Sequence, residues 1–142
     1  MSMKPVIPYL EFPGNCQEAL EYYCYCLQGD VTLKQYCSSP QSTELISHAE
    51  LRAGPLLLML CDSEPERGEK KNPDKLDLNP TSKRFSLALE FDGLMEQQAV
   101  FDRFSERSCI VQPLMKASWG GRYAEICDPF SIFWRLNCAI VL

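Results

Sequence analysis

Hydrophobic and polar positions in the first part of the chain follow two different periods. Residues 6–12 are mostly apolar with a polar interruption and end at a turn, which predicts a strand. Across residues 16–27, apolar positions recur every three or four residues, which predicts an amphipathic helix. We expect Asn15 to cap the start of this helix and Gly29 to end it.

Three more strands are predicted after this helix, at residues 31–37, 46–52 and 55–61, and a turn at Ala53-Gly54 joins the last two. The following residues, 62–83, are charged and proline-containing. Such a composition predicts a long exposed connector with no chemistry of its own.

The second half of the chain repeats this plan. A predicted helix, capped by Asp92, lies among predicted strands, and the last two strands form a hairpin around Asp128-Pro129. The predicted helix covers residues 94–106, and the predicted strands cover residues 84–91, 109–115, 122–127 and 131–137.

Two tripeptides recur in the same order in the two halves. Leu10-Glu11-Phe12 is echoed by Leu89-Glu90-Phe91, and Ala49-Glu50-Leu51 is echoed by Ala124-Glu125-Ile126. The echoes indicate two tandem βαβββ modules. We therefore predict one α+β domain, 1–142, in which the two modules form a curved mixed-sheet cup with the helices outside. Module one covers about 4–62, the connector 62–83 and module two 84–142.

Alternation along each strand separates the residues into two faces. The face predicted to cover the helices is apolar and holds Leu10, Phe12, Ala49, Leu51, Leu89, Phe91, Ala124, Ile126, Ile132, Trp134 and Leu136. The face predicted to line the cup is chemically mixed and holds Tyr9, Glu11, His48, Glu50, Met59, Ser86, Glu90, Tyr123, Glu125, Phe133, Arg135 and Asn137.

Four segments of the chain resemble one known family. They are the opening Pro8-Tyr9-Leu10-Glu11-Phe12-Pro13-Gly14-Asn15-Cys16-Gln17-Glu18-Ala19-Leu20-Glu21-Tyr22-Tyr23, then His48-Ala49-Glu50-Leu51, Leu57-Leu58-Met59-Leu60-Cys61-Asp62, and Asp128-Pro129-Phe130 followed by Trp134. Together they resemble the PhnB-like branch of the glyoxalase/bleomycin-resistance (vicinal-oxygen-chelate) superfamily. The resemblance implies the paired βαβββ fold, a homodimer and a cup for a small molecule.

The resemblance also bears on metal binding. Metal-using members hold a divalent ion with His or Glu from the first, fourth, fifth and eighth strands. Those positions fall here near Ile7 (or Pro8), Met59, Ser86 and Arg135, and none of these side chains suits such an ion. We therefore expect no metal and no other cofactor, which disfavours metal-dependent glyoxalase, dioxygenase and antibiotic-thiol transferase activities.

Arg135 and His48 carry the chemistry that remains. Arg135 either anchors an anionic or carbonyl group of a ligand or pairs with a glutamate of the sheets. His48, the only histidine, lies two residues from Glu50, so the pair is either structural, an acid/base pair, or part of a His/Glu metal site with Glu11 and Glu125.

Trp119 with Gly120-Gly121 is either a mobile lip beside the cup or a packed aromatic at a dimer interface.

Composition narrows the class of partner. The formal net charge is −5, and no basic patch is visible, so we expect neither a nucleic-acid nor a membrane partner. Residues 1–5 lack the pattern of a signal peptide, which predicts a cytoplasmic protein. The eight cysteines are predicted to be structural thiols rather than disulfides.

The sequence favours a small-molecule binding protein that is independent of metal and sequesters or senses an apolar or aromatic compound without turnover. One alternative is a metal-independent enzyme that acts on a small carbonyl compound with His48, a glutamate and Arg135. Another is a structural dimer whose cup is filled by its own side chains. Catalytic residues stay unassigned, and the predicted ligand-binding residues are Tyr9, Glu11, His48, Glu50, Met59, Trp119, Tyr123, Phe133 and Arg135.

Overall fold

The structure, a computed structural model, describes residues 2–63 and 84–139. These residues fall into two compact units, which we call module one (2–63) and module two (84–139) and describe separately. Most of the predicted connector lies outside the described residues.

Module one is a four-stranded sheet with one helix. In chain order its elements are β1 (Tyr9–Phe12), α1 (Cys16–Leu27), β2 (Asp30–Tyr36), β3 (Ile46–Ala53) and β4 (Leu56–Asp62). The strands lie in the order β1-β4-β3-β2; β1 runs parallel to β4, and the other neighbours are antiparallel.

Module two has the same architecture, which confirms the predicted α+β class and the tandem βαβββ plan. Its elements are β5 (Leu87–Phe91), α2 (Leu94–Ser105), β6 (Cys109–Lys116), β7 (Arg122–Cys127) and β8 (Phe133–Cys138). The strand order is β5-β8-β7-β6, again with the first pair parallel. Neither described helix is long and apolar enough to cross a membrane.

Several strands begin later than predicted. β1 begins at Tyr9 instead of residue 6, β5 at Leu87 instead of residue 84, and β8 at Phe133 instead of residue 131. Proline has no backbone N–H, so Pro8 cannot donate to the ladder, although its carbonyl accepts the N–H of Met59 at 3.0 Å. The alternation pattern therefore locates a strand but does not give the residue at which its hydrogen bonding begins.

Most of the predicted helix-facing residues are buried in the core. Leu10, Phe12, Ala49 and Leu51 are buried in module one, where α1 contacts β3 and β4, and Ala124, Ile126, Trp134 and Leu136 are buried in module two. Leu89, Phe91 and Ile132 are only half-buried, which corrects their assignment to the buried set. Leu89 and Phe91 lie in β5, which is an edge strand, and Ile132 lies just before β8 begins. All three side chains are therefore less completely covered by the rest of the module.

The helix ends differ from the prediction. Asn15 and the residue before α2, Gly93, make no side-chain capping bond, and Asp92 lies outside the cap position. At the end of α1, Gln28 and not Gly29 takes the left-handed conformation, with φ 53°. Gly29 has a different role, because a Cβ there would lie 2.7 Å from the carbonyl oxygen of Arg52.

Asp62 holds the start of α1, although the sequence placed it in the exposed connector. It is the last residue of β4 and only 6% exposed. One carboxylate oxygen accepts the N–H of Cys16 at 2.9 Å, and the other accepts the N–H of Ile46 at 2.9 Å. A single buried carboxylate therefore ties the first residue of α1 to the first residue of β3.

Asp128 organises the turn between β7 and β8 in a similar way. One of its carboxylate oxygens accepts the N–H groups of Phe130 (2.8 Å) and Ile132 (3.0 Å). The other accepts the indole N–H of Trp134 at 2.9 Å, and this indole packs on Phe104 of α2 with ring centroids 5.3 Å apart. The turn is thereby connected to the core of module two.

Replacing Asp62 with alanine should destabilise the protein by about 2–4 kcal/mol, because two buried N–H groups lose their acceptor. Asp62→Asn, which keeps one acceptor oxygen, should cost less. Urea unfolding followed by circular dichroism measures both. Glu44→Ala, which removes an exposed carboxylate, is the control. Equal stability of Asp62→Ala and this control would contradict the assigned role.

Candidate functional site

The open face of module one, defined as the face of its sheet away from α1, brings together five predicted ligand-binding residues. Register pairing places Met59 of β4 between Tyr9 of β1 and Glu50 of β3. His48 lies two residues before Glu50 and therefore on the same face, as Glu11 does with respect to Tyr9. Alternation thus predicted the membership of this face correctly.

Three of these side chains form a hydrogen-bonded chain. The Nε2 atom of His48 lies 2.9 Å from a carboxylate oxygen of Glu50, and its Nδ1 atom lies 3.0 Å from the hydroxyl oxygen of Tyr9. A carboxylate only accepts, so Nε2 carries the proton and donates it to Glu50. In neutral His48, Nδ1 then accepts the O–H of Tyr9, which assigns the tautomer.

Cys61 extends this chain, although the sequence did not single it out. Burial, followed by a hydrogen bond with Cys61, raises the pKa of Tyr9. Burial also raises the pKa of the Cys61 thiol, although its bond with Tyr9 acts in the opposite direction. Cys61 is two residues beyond Met59, so strand alternation alone was sufficient to place it on this face.

The open face of module two, the face of its sheet away from α2, is centred on Arg135. Register pairing places Arg135 of β8 between Ala88 of β5 and Glu125 of β7. Its guanidinium lies 3.4 Å from a Glu125 carboxylate oxygen and 5.8 Å from the centre of the Tyr123 ring. The glutamate pair considered in the sequence analysis is therefore formed, and the partner is Glu125.

A partly open cavity of about 260 Å³ adjoins this cation. Its lining combines a hydroxyl, a carboxylate, a guanidinium and two aromatic residues: Ser86, Glu125, Phe133, Trp134 and Arg135. Trp134 was assigned only to the helix side. Its ring is buried there, and the residue also belongs to the cavity lining.

Trp119 lies apart from this cavity lining. It is 58% exposed, in the turn between β6 and β7, where Gly120 has φ 97°. A Cβ on Gly121 would collide with the Trp119 ring, so the absence of a side chain there lets the ring lie over the backbone. The mobile lip and the dimer contact both remain predictions for Trp119, as does the homodimer itself.

The two open faces correspond position by position. Met59 pairs with Glu50 in module one, and Arg135 pairs with Glu125 in module two. The tripeptide echoes make Glu50 and Glu125 equivalent, so Met59 and Arg135 occupy the same central position of their sheets. The predicted cup concerns the arrangement of the two modules and remains a prediction.

This correspondence shows whether the residues at the four metal-ligand positions implied by the resemblance could hold a metal ion. Ile7 and Ser86 each lie two residues before the strand partner of the central residue, so they too are equivalent. The four positions therefore hold an alkyl group, a thioether, a hydroxyl and a guanidinium, which do not form a site for a hard or borderline cation. Within residues 2–63 and 84–139, no three His, Cys, Asp or Glu side chains are grouped to hold a metal.

Comparison with known proteins decides the family. Residues 9–136 match the model of the Glyoxalase/Bleomycin resistance protein/Dioxygenase superfamily, which is most of the chain. The chain belongs to this superfamily. The match spans both modules and confirms the resemblance identified from four segments of the sequence.

Three relatives illustrate this membership. The chain is 23% identical to Protein YjdN of Escherichia coli strain K12, over 94% of each chain. It is 27% identical to protein PA1353 from Pseudomonas aeruginosa, whose crystal structure superposes with a TM-score of 0.74 over 96% of this chain and 98% of that one. A putative 3-demethylubiquinone-9 3-methyltransferase, PhnB protein, from Bacillus cereus shares the fold at 19% identity, with a TM-score of 0.72 over 96% and 100% of the two chains.

The Cys16 thiol of this glyoxalase-superfamily chain should make the stability of the fold depend on pH. Burial, together with the charges of Asp62 and Cys61, raises the pKa of Cys16 from 9.0 to about 12. Cys16 therefore stays protonated in the folded protein at a pH where the unfolded chain loses that proton. Its contribution to stability is present below pH 9 and is lost as the pH rises toward 12.

Between pH 9 and pH 11, the free energy of unfolding should decrease more steeply with pH in the unmodified protein than in Cys16→Ala. The two slopes should differ by about 1.4 kcal/mol per pH unit. Urea unfolding at several pH values measures both slopes, and comparing slopes removes the constant cost of the substitution. Parallel slopes would show that Cys16 does not retain its proton.

Proposed function

We propose that this protein binds a small organic molecule without a metal ion and sequesters or senses an apolar or aromatic compound that carries an anionic or carbonyl group. The observation that carries this proposal is the cavity of about 260 Å³ in module two, where one cation adjoins aromatic residues. Small-molecule pockets usually measure roughly 300–1,000 Å³, so the expected ligand is small.

Arg135 has hydrogen-bonding capacity to spare for such a ligand. Its ion pair with Glu125 uses Nη2 at 3.4 Å, and its side chain is 45% exposed. A guanidinium has five N–H donors in a planar fork that matches a carboxylate. An exposed ion pair contributes at most about 1 kcal/mol, so the pair with Glu125 does not prevent a second anion from binding.

The surrounding rings explain the preference for an aromatic or apolar compound. Phe133 borders the cavity on the same sheet face as Arg135, and the guanidinium lies over the Tyr123 ring. Flat rings offer large contact areas to another ring, while the cation fixes the orientation of the polar end. The lining thus separates an apolar part from a charged part, as a binding site for an aromatic acid requires.

Arg135→Met tests this proposal, because methionine already stands at the equivalent position of module one. Benzoate, 4-hydroxybenzoate and phenylpyruvate serve as probes in a thermal-shift assay and in calorimetry. A probe at about 100 times its Kd should stabilise the protein by roughly 2.7 kcal/mol. The substitution should weaken binding about 10- to 100-fold, as expected for the loss of a hydrogen bond to a charged group.

Arg107→Met, which removes a cation from the turn after α2, is the matched control and should leave the Kd unchanged. Mn²⁺ and Zn²⁺ in the same assay should not raise the melting temperature. Unaltered affinity in a folded Arg135→Met protein would reduce the residue to a structural ion pair. Stabilisation by one of the metals would overturn metal independence.

A second candidate, a metal-independent enzyme that acts on a small carbonyl compound, is favoured by the hydrogen-bonded chain in module one. Tyr9 is 51% exposed, so its hydroxyl can donate a proton to a carbonyl or enolate oxygen. The unprotonated Nδ1 of His48 can take a proton from the carbon next to the carbonyl, which frees the Tyr9 O–H for the enolate oxygen, and the Glu50 carboxylate stabilises the imidazolium that forms.

Exchange of the methyl protons of pyruvate in D₂O, followed by NMR, tests this second candidate. Exchange should exceed that of buffer alone, and His48→Gln should lower the rate by about 10²–10⁴-fold because the proton acceptor is lost. Glu11→Gln, on the same face but outside the chain, is the control. Equal rates with and without His48, or no exchange above that of buffer, would exclude this activity for pyruvate and leave binding as the function.

A further inference from the structure

Two cysteines face each other at the open end of the β6–β7 hairpin. Cys109 is the first residue of β6, and Cys127 is the last residue of β7. They are direct register partners, and the next pair, Ile110 and Ile126, continues the antiparallel ladder without a shift. All eight cysteines lie within the described residues, and no other two of them are register partners.

This register satisfies the geometry of a disulfide. Directly opposite residues of an antiparallel pair have Cα atoms about 4.5 or 5.5 Å apart, depending on the hydrogen-bonding pattern. Both separations lie within the roughly 4.4–6.8 Å that disulfides require. Opposite side chains also project from the same face of the sheet. The register therefore places Cys109 and Cys127 within the distance that a disulfide spans.

The two thiols differ in accessibility, as the two partners of an oxidation reaction often do. Cys109 is exposed, whereas Cys127 is half-buried. Burial, followed by the charges of Asp128 and Cys109, raises the pKa of Cys127, so this thiol keeps its proton at neutral pH. An accessible thiol beside a protected one matches the roles of the attacked and the resolving cysteine.

We propose that Cys109 and Cys127 form a reversible oxidation site that hydrogen peroxide closes into a cross-strand disulfide. The Cys109 thiolate attacks the peroxide, an S–O bond forms as the O–O bond breaks, and the departing hydroxide takes up the proton that the Cys109 thiol lost, which leaves a sulfenic acid and one water. The sulfur of Cys127 then attacks that of Cys109, the S–S bond forms, and a second water leaves with the proton of Cys127. Two thiols are oxidised and one peroxide is reduced; a dithiol reverses the reaction by thiol–disulfide exchange.

The position of the pair gives the oxidation a consequence. β6 is an edge strand, and most of its residues are exposed. Cys127 pairs with Phe133 on its other side and lies two residues from Glu125, and both of these residues line the cavity. The disulfide would fasten the edge strand to the strand that borders the cavity. Its formation does not depend on the ligand proposed for that cavity.

Peptide mapping of the full chain tests the proposal. The reduced protein, freed of reductant, is treated with hydrogen peroxide and analysed by intact mass spectrometry and by non-reducing digestion. We expect the loss of the mass of two hydrogen atoms, a crosslinked peptide joining Cys109 to Cys127, and full reversal by dithiothreitol. Cys24→Ser, which removes a half-buried thiol of α1, should leave the crosslink intact.

Single substitutions distinguish the two roles. Cys109→Ser should abolish the crosslink, and Cys127→Ser should leave a sulfenic acid on Cys109 that dimedone traps. A mass loss that persists in either variant would overturn the proposal. Crosslinking of a different pair, a disulfide between two chains in place of the internal one, or an unmodified pair after peroxide treatment would overturn it as well.

Discussion

The hydrogen bonds of one buried carboxylate, Asp62, hold module one together at the point where its helix meets its sheet. α1 begins without a side-chain cap from its own neighbourhood, so its first N–H needs an acceptor from elsewhere. Asp62 supplies that acceptor from the end of β4 and also binds the N–H of Ile46. The helix is thereby fixed over one face of the sheet, which leaves the other face for polar chemistry.

Module two reaches the same result with different residues. Asp128 fixes the β7–β8 turn, and the buried Gln97 of α2 donates its amide N–H to the carbonyls of Arg122 and Leu136 at 2.8 and 2.9 Å. Arg122 returns a hydrogen bond from Nε to the Gln97 oxygen. In both modules, polar bonds between helix and sheet fix the helix side, and the equivalent central positions on the other side are free to diverge into Met59 and Arg135.

The sequence predicted the elements and their faces because both depend on local periodicity. Residues such as Tyr9 and Glu50 were assigned to one face by alternation alone, and the structure places them there. Alternation does not give the lateral register between strands, so the contact between Tyr9 and His48, 39 positions apart, was not predictable. The role of Asp62 was missed for a related reason. An aspartate at the end of a strand looks like the start of a polar connector, and its role as a cap depends on Cys16 and Ile46, which are distant in the sequence. The cavity likewise depends on register, since Glu125 meets Arg135 only through the pairing of β7 with β8.

Met59 and Arg135 occupy equivalent positions in the two modules, so the two open faces differ in charge at their centres. A partly buried guanidinium at the centre of a sheet needs compensation, and Glu125 and the Tyr123 ring provide it. Because the pair stays partly in water, the compensation is weak enough for another anion to share the cation. In module one the equivalent glutamate, Glu50, lies beside the neutral thioether of Met59 and instead accepts a hydrogen bond from His48. The equivalent carboxylates therefore hold a fixed cation in one module and orient the His48 imidazole in the other, so a single duplicated framework offers two chemically distinct faces.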